Sequence, residues 1–183
     1  MGRKLLSFVF ETAQVLVLAF SIFLFVYLLI MQPHKIQGAS MEPNFYENEY
    51  LLTDKLSYRF GEPQRGDVVV FKAPPQFRDE YIKRILGLPG DTIEIINNEL
   101  FVNKKPVEEP YLTQNTITSA GQFLSEDKVL TVPENSYFVL GDNRSHSLDS
   151  RSFGFVTRDK ITGKAWFIYW PPQNFGSIRA ANY

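Results

Sequence analysis

The chain has no cysteine, and only two histidines, His34 and His146, among its 183 residues. Without thiols there can be no disulfide, no thiolate nucleophile and no cysteine-built zinc site, and the absence suits an oxidising or a reducing compartment alike. Two histidines are too few for a multi-histidine metal site, so neither a metal nor another cofactor is expected. Charge of one sign is also missing: 19 Lys and Arg stand against 20 Asp and Glu, a net charge of -1. Nucleic-acid binders usually carry a basic excess, so no such partner is expected. Any chemistry must come from hydroxyls, amines and carboxylates. The length allows one domain of ordinary size plus a small extra element.

Charge is absent locally as well. Thr12 to Pro33, TAQVLVLAFSIFLFVYLLIMQP, is 22 residues without a formal charge. At about 1.5 Å per helical residue, roughly 20 such residues cross the hydrocarbon core of a bilayer. A buried core helix would show a polar face, yet between Val15 and Met31 only Ser21 and Tyr27 are polar. A cleaved signal peptide has a shorter apolar region, about 7–15 residues. The expectation is a retained transmembrane helix over 12–33, with the lipid bilayer as a partner. Arg3, Lys4 and the amino terminus precede it, so the positive-inside bias places residues 1–11 in the cytoplasm and the rest outside, in a single-pass cell-membrane protein.

Beyond Lys35 the pattern becomes strand-like. Apolar, β-branched and aromatic runs recur between turn signals: EYLLTD (49–54), DVVVFK (67–72), EYIKRILG (80–87), DTIEII (91–96), ELFVN (99–103), KVLTV (128–132), SYFVLG (136–141) and KAWFIYW (164–170). Asn97-Asn98 tolerate positive φ and predict a tight hairpin. The reading is a mainly β chain, in which an antiparallel catalytic domain spans 36–172. Its core covers 36–103 and 136–172, a polar excursion or flap covers 104–135, and 173–183 form a tail. Long polar excursions are uncommon without a role.

Ser40 lies in IQGASMEPN, where Gly38-Ala39-Ser40 resembles both a cleavage site and the setting of a nucleophile. Gly38 and Ala39 leave room for a substrate backbone, and Pro43 directs the chain away. Local sequence alone favours an ordinary juxtamembrane loop serine, and a serine needs a base to act as a nucleophile. His146, near Asp142 and Asp149, is one candidate, although its polar neighbours suit a solvated loop residue. Lys83 is the other. An ordinary lysine has a pKa of about 10.4, and lowering it by three units costs roughly 4 kcal/mol, which demands burial or a nearby positive charge. Strand alternation puts Tyr81, Lys83 and Ile85 on one face and Ile82, Arg84 and Leu86 on the other, with Arg84 adding positive charge close by. Taken alone, Lys83 is better explained as an exposed edge residue that discourages aggregation.

SMEP (40–43), RGDVVVF (65–71), YIKRILGLPGD (81–91) and GDNRSHSLDSRSFGFV (141–156) follow one another in that order after the apolar run. Their order and wording resemble the bacterial type I signal peptidases, membrane-anchored serine proteases that remove signal peptides from exported preproteins. The resemblance covers nearly all of 36–170. It implies Ser40 as nucleophile, Lys83 as general base and Ser147 as the residue that orients the lysine amine. It implies Asp149 and Arg151 as an ion pair behind the site, with Asp142 and Arg144 in support, and it leaves His146 at a variable position.

The Ser40 N–H is then one oxyanion donor. Some members add a serine hydroxyl where this chain has Gly38, so Gly38 is the candidate second donor through a backbone amide, failing which water substitutes or the hole is weaker. A second departure is Asn44, where threonine often follows the proline. Ile36, Met41, Tyr81 and Ile82 are the expected walls of shallow pockets for small substrate side chains, with the substrate added as a strand beside 36–40 and 81–84. Phe45, Trp166 and Trp170 are candidate interfacial anchors. Self-cleaving repressors of the DNA-damage response share the Ser/Lys pair, but need a DNA-binding domain and no membrane span. Eukaryotic-type signal peptidases have histidine in place of Lys83. A non-catalytic β-domain would require four ordered motifs to coincide by chance.

Overall fold

The computed structural model describes residues 2–114, 116–126 and 128–181. Helix α1, Gly2–Leu29, has no buried residue and is long and apolar enough, by length and composition, to cross a bilayer. The hydroxyls of Ser7, Thr12 and Ser21 donate to carbonyls three or four residues back, so these polar groups are satisfied within the helix itself. The helix differs from the expected 12–33 at both ends. It begins at Gly2, and it stops at Leu29 because Pro33 lacks the N–H to continue and disfavours a helical residue before it. Met31–Lys35 instead form strand β1, with Lys55 Nζ donating to the Tyr27 carbonyl at the helix end (3.1 Å).

Eleven further strands follow: β2 (Tyr50–Asp54), β3 (Val68–Lys72), β4 (Glu80–Gly87), β5 (Thr92–Ile96), β6 (Glu99–Val102), β7 (Lys105–Pro106), β8 (Leu130–Thr131), β9 (Ser136–Leu140), β10 (Val156–Thr157), β11 (Ile161–Trp170) and β12 (Gly176–Ser177). Each of the eight runs expected from sequence is a strand. The larger sheet has the order β1-β2-β11-β3-β4-β9-β10, with β12 also on β11; the smaller is β7-β6-β5-β8. All the pairings are antiparallel. Two four-residue helices, α2 (Ser57–Phe60) and α3 (Ser150–Phe153), complete the frame.

The VVVF run is apolar at every position because β3 is covered on both faces. Val69 and Phe71 pack with Ile85 and Val139 on one side, and Val68 and Val70 pack with Ile36, Met41, Phe45 and Leu51 on the other. The second of these clusters underlies the segment that carries Ser40.

The hairpin at Asn97-Asn98 forms as expected, with φ of 51° and 63°. It does not join the core sheet, where 91–103 had been expected. Strand β9 already pairs with Arg84 and Ile85 of β4, so β5 and β6 build the smaller sheet with β7 and β8, two strands of the 104–135 excursion. Ile93 and Ile95 then meet Leu86, Phe138 and Leu140 between the sheets. Gly87 permits that approach, since a Cβ there would lie 2.7 Å from Ile93 Cδ1 and 2.9 Å from Phe138 Cβ. Gly87→Ala is therefore expected to destabilise the domain by about 1–3 kcal/mol through overpacking. Urea unfolding of the variant measures this, and an unchanged midpoint would contradict the tight contact.

Candidate active site

Ser40 lies on the loop between β1 and β2, a segment pinned by what surrounds it. Asn44 and Phe45 N–H groups bond back to the Met41 carbonyl, and Met41 and Phe45 sink their side chains into the cluster beneath. Met41 is only 1% exposed, so it anchors the loop and does not wall the cleft as expected. Phe45, at 4%, is likewise core and not an interfacial anchor, whereas Trp166 and Trp170 stand exposed.

Lys83 projects from the middle of β4 and is 3% exposed. Its Nζ is 2.7 Å from Ser40 Oγ and 2.8 Å from the Ile82 carbonyl oxygen, with the Tyr81 ring centroid 5.4 Å away. Burial pushes the amine down from its ordinary 10.5 to about 8, partly offset by the negative charges of Asp149 and Asp142. Arg84 does not help as expected. Successive strand residues face opposite ways, and its Nε and Nη2 donate to Asp142 at 2.9 and 2.7 Å. Desolvation, with no help from a neighbouring cation, lowers this lysine.

Behind the pair lies a bank of buried ion pairs. Asp149 accepts from Arg151 Nε and Nη2, both at 2.8 Å, and from the Arg151 and Gly141 N–H groups. Asp142 and Arg144 support the loop through separate partners. Asp142 holds Arg84 and the Asn44 amide, while Arg144 binds Glu109 and Thr118 and donates to the Gly141 carbonyl. Glu109, Tyr111, Thr118 and Ser119 belong to the excursion, which thus straps the rear of the site; Tyr111 lies against the Arg84 guanidinium at 4.0 Å. None of these four was legible as a site residue. Arg84 was expected only to add positive charge near Lys83; its burial and its pairing with Asp142 come from the structure.

Two expected roles change. Ser147 Oγ is buried but makes no hydrogen bond among the described residues, so it does not reach Lys83. It packs instead against Gly141, where a Cβ would lie 2.2 Å from Ser147 Oγ and 2.5 Å from the Ser40 carbonyl oxygen. Gly38, at φ +81°, turns its N–H to Glu47 Oε1 (3.3 Å), which occupies the donor expected to serve an oxyanion. The Ser40 N–H has no partner among the described residues.

The pair opens onto a cleft of about 660 Å³. One wall is Gln32–Gln37 and the other Glu80–Lys83, so Ile36, Tyr81 and Ile82 line it. His34 Nδ1 and Glu80 Oε2, 3.2 Å apart, link the walls at the far end. Among the described residues both walls have a free strand edge, because β1 pairs only with β2 and β9 meets β4 only from Arg84 onward. Among the described residues no three His, Asp or Glu side chains are grouped to hold a metal.

A family model described as signal peptidase, peptidase S26, matches residues 9–170. The protein belongs to the S26 signal peptidases. Signal peptidase IB of Staphylococcus aureus is 36% identical over 186 residues, covering 96% of this chain and 94% of that one. Probable signal peptidase I-2 of Synechocystis sp. is also 36% identical, over 154 residues covering 81% of this chain and 67% of its own. The crystal structure of a signal peptidase I from Enterococcus faecalis has 35% identity and a TM-score of 0.48, over 57% of this chain and 97% of that one. Family membership makes the chain a serine endopeptidase that cleaves signal peptides, with preproteins carrying them as substrates.

Proposed function

We propose that this S26 peptidase is anchored in the membrane by α1 and cleaves with Ser40 as nucleophile and Lys83 as general base. The observation that carries the reading is the 2.7 Å contact between Lys83 Nζ and Ser40 Oγ at the mouth of a cleft with two open strand edges. Neutral Lys83 takes the Ser40 proton as Oγ attacks the scissile carbonyl, and the Ser40 N–H receives the negative oxygen. The ammonium then returns its proton to the departing amine, leaving an acyl-enzyme. Lys83 next deprotonates a water that attacks the ester, and the Ser40 hydroxyl is restored.

An extended preprotein segment fills the cleft by strand addition beside β1 and β4. The shallow surface at Ile36, Tyr81 and Ile82 suits small side chains near the cut. Asp142, Arg144, Asp149 and Arg151 hold the loop that supports the pair. The 28-residue helix is about 42 Å long, exceeding a hydrocarbon core of about 30 Å, so Arg3 and Lys4 reach the cytoplasmic headgroups in this orientation. The domain from 36 to 172 then lies outside, with Trp166 and Trp170 available to the lipid surface.

The detergent-solubilised full chain is expected to cleave a signal-peptide substrate, and Ser40→Ala to be inert while still folded. Because only neutral Lys83 is active, kcat/KM is expected to rise tenfold per pH unit at acid pH and level off above about 8. A limb that levels only near pH 10 would mean the base is an ordinary exposed lysine.

A further inference from the structure

Asn143 touches the nucleophile's backbone twice from more than a hundred residues away. Its side-chain Nδ2 donates to the Ala39 carbonyl oxygen at 3.0 Å, and its own N–H donates to the Ser40 carbonyl oxygen at 3.0 Å. These carbonyls belong to the two peptide groups that flank the Ser40 Cα. Its Oδ1 meanwhile faces the Ser145 hydroxyl and His146 Nδ1, both at 3.3 Å, which orients the amide with its NH₂ towards Ala39. The residues on either side are fixed by buried charge, Asp142 by Arg84 and Arg144 by Glu109.

We propose that Asn143 is a positioning residue that aims the oxyanion-binding N–H of Ser40. The inference rests on the function proposed above. The Ala39 carbonyl and the Ser40 N–H are opposite ends of one planar peptide group. Gripping the oxygen, which also accepts a longer bond from the Glu42 N–H (3.3 Å), helps fix the direction of the N–H, which has no partner among the described residues. A hydrogen bond to the carbonyl also polarises that N–H towards stronger donation. The main-chain bond to the Ser40 carbonyl holds the next peptide group, so the serine Cα cannot pivot between them. A loop-packing contact would need neither bond to fall on these two groups.

The test uses the full chain in detergent, a signal-peptide substrate and a peptide aldehyde of the same sequence. With the aldehyde an Oγ–C bond forms, the C=O π pair moves onto oxygen and the hydroxyl proton passes to Lys83. The adduct oxygen then occupies the oxyanion position. Asn143→Ala keeps the main-chain bond and loses the side-chain one. It is expected to lower kcat by about 10- to 100-fold with KM unchanged, and to weaken the aldehyde by the same factor. Asn143→Asp has the same size and keeps its acceptor oxygens, but an ionised carboxylate cannot donate to Ala39. It is expected to show the same losses, and it serves if the alanine variant does not fold.

Unchanged kcat, a loss residing in KM, or a lower kcat with undiminished aldehyde affinity would each overturn the assignment. The wild type and Ser40→Ala separate the two levels. If the wild type cleaves and Ser40→Ala does not, a fully active Asn143→Ala overturns only the positioning role. If the wild type cleaves nothing, the proposed function falls and the role with it.

Discussion

Replacing Lys83 by methionine is expected to abolish peptidase activity, by at least about a thousandfold, and to make the protein more stable. Loss of activity follows from removing the amine that lies 2.7 Å from Ser40 Oγ, since a neutral hydroxyl is a poor nucleophile without its base. The gain in stability follows from burial. With the folded amine at about 8 and an ordinary value of 10.5, the unfolded chain binds a proton more readily than the folded one. Stability therefore rises with pH between those two values. Below that window the buried lysine costs about 3 kcal/mol. Methionine fills similar space without a charge, and its lost hydrogen bonds to Ser40 and the Ile82 carbonyl offset part of the gain. Urea unfolding near pH 7 is expected to show an increase of about 1–3 kcal/mol, vanishing above pH 10.5. Retained cleavage would remove Lys83 from the chemistry, and a less stable variant would contradict the cost assigned to its burial.

Asp149→Ala is expected to cost about 3–5 kcal/mol of stability, the range for breaking a buried ion pair on one side. Asp149 is fully buried and accepts four hydrogen bonds, two from the Arg151 side chain and one each from the Arg151 and Gly141 N–H groups. Truncation leaves a largely buried guanidinium without its counter-charge and exposes the loop beside Ser147 to rearrangement. Its milder relative, Asp149→Asn, tests the electrostatics separately. The Asp149 charge raises the pKa of Lys83, so neutralising it is expected to move the acid limb of kcat/KM to lower pH. A limb that moves upward would show that Asp149 does not act on the amine through its charge.

Much of this molecule could be read from local pattern. A run without charge can be a spanning helix because lipid tolerates little else, and alternating or continuous apolar runs are strands because a sheet face must be covered. Ser40 and Lys83 were not available in that way: local pattern alone suits a loop serine and an edge lysine, and both became candidates only through the resemblance of four ordered motifs to the type I signal peptidases. The Asn97-Asn98 hairpin was legible because two residues at positive φ are a local property.

What was missed depends on contacts distant in sequence. The strand at Met31–Lys35 contains a proline and polar residues, and exists only because β2 returns to pair with it. The β5–β6 hairpin looked like core sheet until β9 took the place beside β4. Whether Ser147 meets Lys83, whether Gly38 has a free N–H and what pairs with Asp142 are matters of a few ångströms between segments up to a hundred residues apart. Local sequence determines which groups are present and which elements they ride on, because propensity, patterning and turn chemistry act between neighbours. Only the tertiary structure decides which buried charge meets which, and how dry the lysine becomes, because desolvation and hydrogen bonding depend on every segment packed around the site.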